Sequence, residues 1–431
     1  MSKLSAVSIA VLLVAGPSLA IEPKTNIRSD TIVQQGQNTQ ELSIEEAVRL
    51  ALASEDPYLM QPGEMASSLE ATAIADAQLP DPKVRLNFAN VPLDSFSFSR
   101  EPMTQLQLGV SQAFPKGDTL KFRREKRLSQ AQGERYRQEL RAREVVLDTR
   151  LVWLDLNYLA GAQVKVSESR QTVAELVEII QAIFATGRQA SQDILRAELE
   201  LSLLDDRLVE IDRKTSILRA KLARRIGEVA FSRKMPNRLP GLRHPSDTSA
   251  VLDLLEMHPA AKMYASKVDA ADQDVRLAGE LYKPGWAVNV GYGARGGDRS
   301  DFASVGVTMD VPLFTAKRQD KRLLAAKMSR QASRLSKDTV LLDLRRQLQV
   351  SRADWEQLEN RVSLYQSVVL ERAKETSEAT LSSYQSGVSD FPELVRSRLA
   401  ELDAELKLLR LKSDRLKAQA QLLFLEGEDD A

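Results

Sequence analysis

The side chains best able to do chemistry are few and scattered. The chain has 431 residues with no cysteine and two histidines, His244 and His258, which stand alone. Thiol catalysis and cysteine–metal coordination are therefore absent, and neither imidazole has the spaced partners of a metal site. A lone histidine fits a structural role. The glycine-rich stretch Gly291–Gly297 lacks the following helix whose N-terminus would cradle a phosphate. No nucleophile–base constellation is present. The sequence thus predicts no enzyme, no catalytic residue, no cofactor and no resident metal. Basic and acidic residues balance at 60 each, which removes the electrostatic signal of a nucleic-acid binder.

With little local chemistry, the sequence is read through its elements. Residues 1–20 carry Lys3, a small apolar run from Ala6 to Gly16 and a small-residue end at Ala20. That order predicts a signal peptide. The run is too short for a spanning helix, and no other stretch reaches ~18 consecutive apolar residues. Entry into a membrane would therefore require strands. Residues 21–42 read as an extended arm.

The strongest organisational signal is an internal repeat of about 200 residues. Asp56-Pro57 falls against His258-Pro259, and Leu79-Pro80-Asp81-Pro82 against Leu281-Tyr282-Lys283-Pro284. The breaks at Gly187 and Gly387 correspond, and so do Asp193–Arg196 and Glu393–Arg396. The expected units are a first repeat over 43–226, a linker over 227–247 containing Pro236, Pro240 and Pro245, and a second repeat over 248–427. Residues 428–431 form a tail. Each repeat predicts a helical stretch (about 44–78 and 248–281), two alternating segments, a very long helix, a glycine break and a return helix.

The alternating segments predict β-hairpins over about 82–114 and 284–314. Leu86, Phe88, Leu106, Leu108, Trp286, Val288, Val290, Val305 and Val307 fall on one side of their strands, with small or polar residues between them. Strands of ~9–11 residues with that pattern suit a transmembrane barrel, and they equally suit a half-buried sheet of a soluble domain. Four strands cannot close a barrel, because bacterial barrels start at about eight. Open edges in lipid leave backbone groups unpaired at several kcal/mol each, so the membrane reading requires oligomerisation.

The helices read as long coiled coils. Proline is absent from about Asp118 to Phe184, and glycine occurs there only at Gly133 and Gly161. Ile194, Ala197, Leu201, Leu204, Leu208 and Ile211 step alternately by three and four, as do Leu399, Leu402, Leu406 and Leu409. Trp355, Leu358, Val362, Tyr365 and Val369 continue the pattern elsewhere.

In this duplicated order, with Leu79-Pro80-Asp81-Pro82, the segment Val110–Pro115, Val311–Phe314 and the two glycine tips, the sequence resembles the TolC-like outer-membrane efflux proteins. The resemblance covers about Leu42 to Gly427. It implies a mainly α fold with a transmembrane β portion: a homotrimer with a helical tunnel and a shared twelve-stranded barrel. It also implies location in the outer membrane of a Gram-negative bacterium, with the helices in the periplasm. Its partners would be outer-membrane lipid, a periplasmic adaptor and an inner-membrane pump that supplies the energy. The segment Arg100–Thr104 resembles the branch serving heavy-metal pumps of the resistance-nodulation-division class, which implies metal cations as possible cargo.

By the same resemblance Glu393 takes the place of a gate carboxylate, which three copies would turn into an acidic ring. Arg396 stands where the family has a second acid, so a Glu393–Arg396 pair one helical turn apart is the competing expectation. Asp390 lies nearby. Gly187, Arg188, Ser191, Asp193, Gly387 and Ser389 are the expected adaptor-docking residues, and ordinary turn and capping chemistry explains the same types. The competing identities are a periplasmic adaptor, which would need a single hairpin flanked by β-rich domains, and a soluble coiled-coil scaffold, which needs neither export nor lipid-like strand faces.

Overall fold

The computed structural model describes residues 41–185 and 191–427, the side chains of 183–185 and 191 excepted. The expected signal peptide, the arm up to residue 40, Gly187, Arg188 and the tail lie outside the described residues. The chain runs α1 (Ile44–Leu52), α2 (Pro57–Asp76), β1 (Lys83–Ala89), β2 (Gln105–Phe114), α3 (Thr119–Ala185), α4 (Ser191–Ile226) and the short α5 (Val229–Ser232). It continues through α6 (Thr248–Leu254), α7 (Pro259–Glu280), β3 (Gly285–Arg295), β4 (Phe302–Asp310), α8 (Gln319–Leu364), α9 (Leu370–Gln385) and α10 (Phe391–Glu426). The fold is mainly α with one small antiparallel sheet.

The helical stretches expected over 44–78 and 248–281 are each broken in two. The cause is the same in both: a proline cannot continue the preceding helix but opens the next one well. Asp56 caps α2, its carboxylate accepting the Tyr58 N–H at 2.9 Å. His258 does the equivalent work for α7, with Nδ1 accepting the Ala260 N–H at 3.3 Å. The Asp-Pro and His-Pro marks of the repeat are thus two solutions to one capping problem.

α3 has 67 residues, a rod of ~100 Å at 1.5 Å per residue. It packs against α2, α4, α7 and α10. α8 packs against α7 and α10, and α10 against α9. α7 and α10 therefore each pack against both long rods, α3 and α8. The stepped apolar residues face inward as heptad packing requires. Ala197, Leu204 and Leu402, with Ile194, Leu201, Leu208 and Leu399 beside them, pack against Val166, Val173, Val177 and Ile180 of α3. Gly161 marks a close approach of α3 to α10: a Cβ there would sit 2.8 Å from the Leu409 Cδ2.

A second core joins the start of the described chain to the middle of α3. Leu42, Ile44, Ala47, Trp153, Leu154, Leu222 and Ile226 are buried together. The Trp153 indole donates to the Leu42 carbonyl at 2.9 Å, and the Asn157 amide donates to the Pro236 carbonyl at 2.6 Å. The segment expected as a linker is therefore pinned to α3, and it pairs through a bridge between Glu41 and Lys234.

One departure from the heptad reading has a local cause. Between α8 and α9, Tyr365–Val369 form a π-helical turn. One extra residue per turn rotates the following face, so Leu370 rather than Val369 joins Leu358, Val362 and Tyr365 against Leu408 and Leu411.

Candidate functional site: an exposed sheet face and the helix tips

The four strands pair in the order β1-β2-β3-β4, all antiparallel, although about 170 residues, mostly helical, separate β2 from β3. The register carries the site. Phe88 faces Leu106; Leu86, Leu108 and Tyr292 share a row; Val84, Val110, Val290 and Val305 share the next. Trp286 lies between Phe114 and Met309, and Val288 between Gln112 and Val307. Side chains alternate faces along a strand, so all nine residues expected to face lipid lie on one surface.

That surface is exposed rather than packed: Val305 is 78% accessible, Val84 70% and Leu86 64%. A soluble half-buried sheet would hide this side, because no ordinary soluble surface leaves a contiguous apolar sheet face bare. β2 has 10 residues, so at ~3.4 Å each and a ~40° tilt it spans ~25 Å, the height of an outer-membrane barrel's apolar band. Aromatic rings stand at both ends of the face. Phe114 stacks on Trp286 at 4.1 Å near the helices, and Phe88 meets Phe98 edge-on at 5.6 Å at the far end. Phe314, 89% exposed, follows just beyond β4. Phe98, Phe114 and Phe314 were not among the residues expected on this face; aromatic type at the end of an alternating segment is a signal for Phe114 and Phe314, whereas Phe98 lies within the β1–β2 loop and carries no such mark.

The opposite face is small and polar and lines the concave side of the sheet. Among the described residues, the outer strands β1 and β4 each have one edge without a partner. The loops at the far end are tied together, with Arg299 Nη1 donating to the Ser99 and Glu101 carbonyls at 3.1 Å each.

At the opposite end of the long helices the second tip is built by capping. Gly387 has φ 76°, the left-handed region that closes a helix without a Cβ clash. Asp390 then caps α10, its Oδ1 accepting the Glu393 N–H at 3.1 Å, with Pro392 in the first turn and Phe391 buried beneath. Ser389 is at the turn with its hydroxyl against the Asp390 carbonyl. Glu393 is not a bare carboxylate: the Arg396 guanidinium donates to it from one turn on. Asp193 lies in the first turn of α4. Burial first, and the Asp193 carboxylate second, push the Tyr384 phenol above its ordinary range. Ser191 opens α4, and its side chain lies outside the described residues.

Residues 251–428 match the family model described as outer membrane efflux protein. No curated protein matches the sequence. The fold is similar to the outer membrane protein VceC from Vibrio cholerae, at 17% identity and a TM-score of 0.77 over 91% of this chain and 97% of that one. The Campylobacter jejuni outer membrane channel CmeC gives 13% identity and 0.75 over 89% and 85%. The Neisseria gonorrhoeae outer membrane channel MtrE in its open state gives 15% and 0.72 over 90% and 89%.

Proposed function

We propose that this chain, which carries an outer membrane efflux protein domain, is one third of a passive outer-membrane export duct. The observation that carries the reading is the exposed, mostly apolar face that extends over four strands, the outer two of which each have one edge unpaired among the described residues. In lipid those edges are costly, and closure removes them. β1 and β4 run antiparallel to each other in a four-strand antiparallel order, so copies join edge to edge without breaking the pattern. Three copies give twelve strands, an even number large enough to close. The helices then stand in the periplasm, and the tips at Gly387 and at the start of α4 dock an adaptor that links the duct to an inner-membrane pump. We assign that docking to Ser191, Asp193, Gly387 and Ser389 among the described residues.

Membrane fractionation with a heat-modifiable oligomer assay tests the reading. The expected result is an outer-membrane species that runs as an oligomer unheated and as a monomer after boiling. A monomer confined to the soluble periplasm would overturn it.

At the tip, the Glu393–Arg396 pair supports a neutralised ring rather than a bare acidic gate, with Asp390 committed to capping. Arg396→Gln leaves three unpaired carboxylates and should raise the cation permeability of the reconstituted duct. Unchanged ion selectivity would place the pair outside the conducting path.

A further inference from the structure

The concave, polar face of the sheet has an uneven charge distribution. Its rows follow from the register. Arg85 shares a row with Gly109, Gly291 and Ser304, and Lys83 shares the next with Ser111, Asn289 and Gly306. Both cations are exposed, and neither has an ion pair or side-chain hydrogen bond among the described residues. Neighbouring polar groups are satisfied by one another, as in Asn289 Nδ2 to Thr308 Oγ1 at 3.0 Å and Asn87 Nδ2 to Gln107 Oε1 at 3.4 Å. The two glycines and the serine beside Arg85 leave its guanidinium unobstructed, and no row partner of either residue is acidic.

The other charges on this face sit at its ends. Arg295, at the far end, donates to the Ser300 carbonyl at 2.6 Å and lies 3.9 Å over the Phe302 ring. Asp310 ends β4 opposite Gly285, two rows nearer the helices than Gly306. Asp81 precedes β1 and is not part of the sheet. The middle of the face is therefore cationic, with no counter-charge in its rows among the described residues.

We propose that Lys83 and Arg85 form two adjacent cationic rings in the strand-lined part of the duct, and that this section selects solutes bearing an oxyanion group, carboxylate or phosphate. The inference rests on the duct reading. Three copies place six cations in two bands ~7 Å apart along the strand, since residues two apart on a strand are separated by that distance. Rings of like charge facing a pore attract the opposite ion and exclude their own kind. The guanidinium fork of Arg85 also suits two oxygens of one carboxylate or phosphate, which gives the band a chemical preference beyond its sign. A free divalent metal cation is the solute such a band admits least readily.

Reversal potentials of the purified protein in a phosphatidylcholine planar bilayer, under a potassium chloride gradient at low ionic strength, test the proposal. Low salt matters because screening at ~0.1 M already shortens the field to ~10 Å. The wild-type duct should pass chloride over potassium by at least roughly threefold, as charged rings do. The charge-reversed Lys83→Glu/Arg85→Glu variant should invert that preference, while Lys83→Arg/Arg85→Lys should keep it. Each variant is first checked for the heat-modifiable oligomer, so that a folding failure is not read as a selectivity change. Conducting channels that prefer potassium, or whose preference survives charge reversal, overturn the rings and leave the duct standing. An assembled protein that conducts no ions contradicts the duct reading itself.

Discussion

His258 shows how much a single capping residue can commit a structure to a pH range. It is 2% exposed, its Nδ1 holds the first turn of α7, and its ring meets Phe424 edge-on at 5.4 Å. Burial, reinforced by the Arg143 guanidinium, lowers its pKa from 6.5 to about 4. Between those values the unfolded chain binds a proton that the folded chain refuses. Stability is therefore full above about pH 6.5 and falls as the pH drops toward 4, by at most about 1.4 kcal/mol per pH unit. His258→Asn keeps an N-cap acceptor and removes the titration. Thermal melts at pH 7 and pH 5 should show a smaller loss for the variant than for the wild type, and equal losses would contradict the assignment. That this histidine is structural was legible from its isolation in the sequence. Its capping role was only half legible: the alignment of Asp-Pro with His-Pro marked the place, but the aligned residues do not themselves show that a side chain accepts the following N–H. The Glu393–Arg396 contact was legible because residues three apart on a helix touch.

Among the elements, the strands were the most legible and the helix breaks the least. Alternation put the nine residues expected to face lipid on one side of their strands, and pairing placed all nine on one face of the sheet. The sequence could not tell that face from a buried one, because burial depends on what packs against it, and among the described residues most of this face stays exposed. The π-helical turn at Tyr365–Val369 was invisible for another reason. An added residue in one turn leaves composition and propensity unchanged and appears only as a shift in which apolar residue meets the core. The alternation also continues to Val311, but β4 ends at Asp310, where Pro312 has no N–H to extend a ladder. At the second tip the left-handed φ of Gly387 and the open space around it separate strain from docking. Gly387→Leu adds bulk where no chain atom lies within 4 Å, at a backbone cost of roughly 1–3 kcal/mol confined to the turn. Oligomer and barrel should be retained while export in an intact cell is lost. Unchanged export would count against the tip as a docking site.

At the scale of the whole molecule, one chain is not a working unit in this account. The bare apolar face, the aromatic rings at its ends and the two unpaired edges are all explained by one assembly in which β1 of each copy pairs with β4 of the next. The chain contains no cysteine, so introduced cysteines report on that contact without background. The most direct measurement places one cysteine on β1, as Leu86→Cys, and pairs it in turn with Ala303→Cys, Val305→Cys or Val307→Cys on β4, all on the same face. Disulfides need Cβ atoms within ~4.5 Å, so a bridge forms only where the two edges lie side by side. After oxidation of outer membranes, at least one pair should give covalently linked dimers and trimers on denaturing gels, and each single-cysteine control should stay monomeric. If every double variant assembled normally yet ran only as a monomer, the two edges would not meet, and the closed barrel would be contradicted.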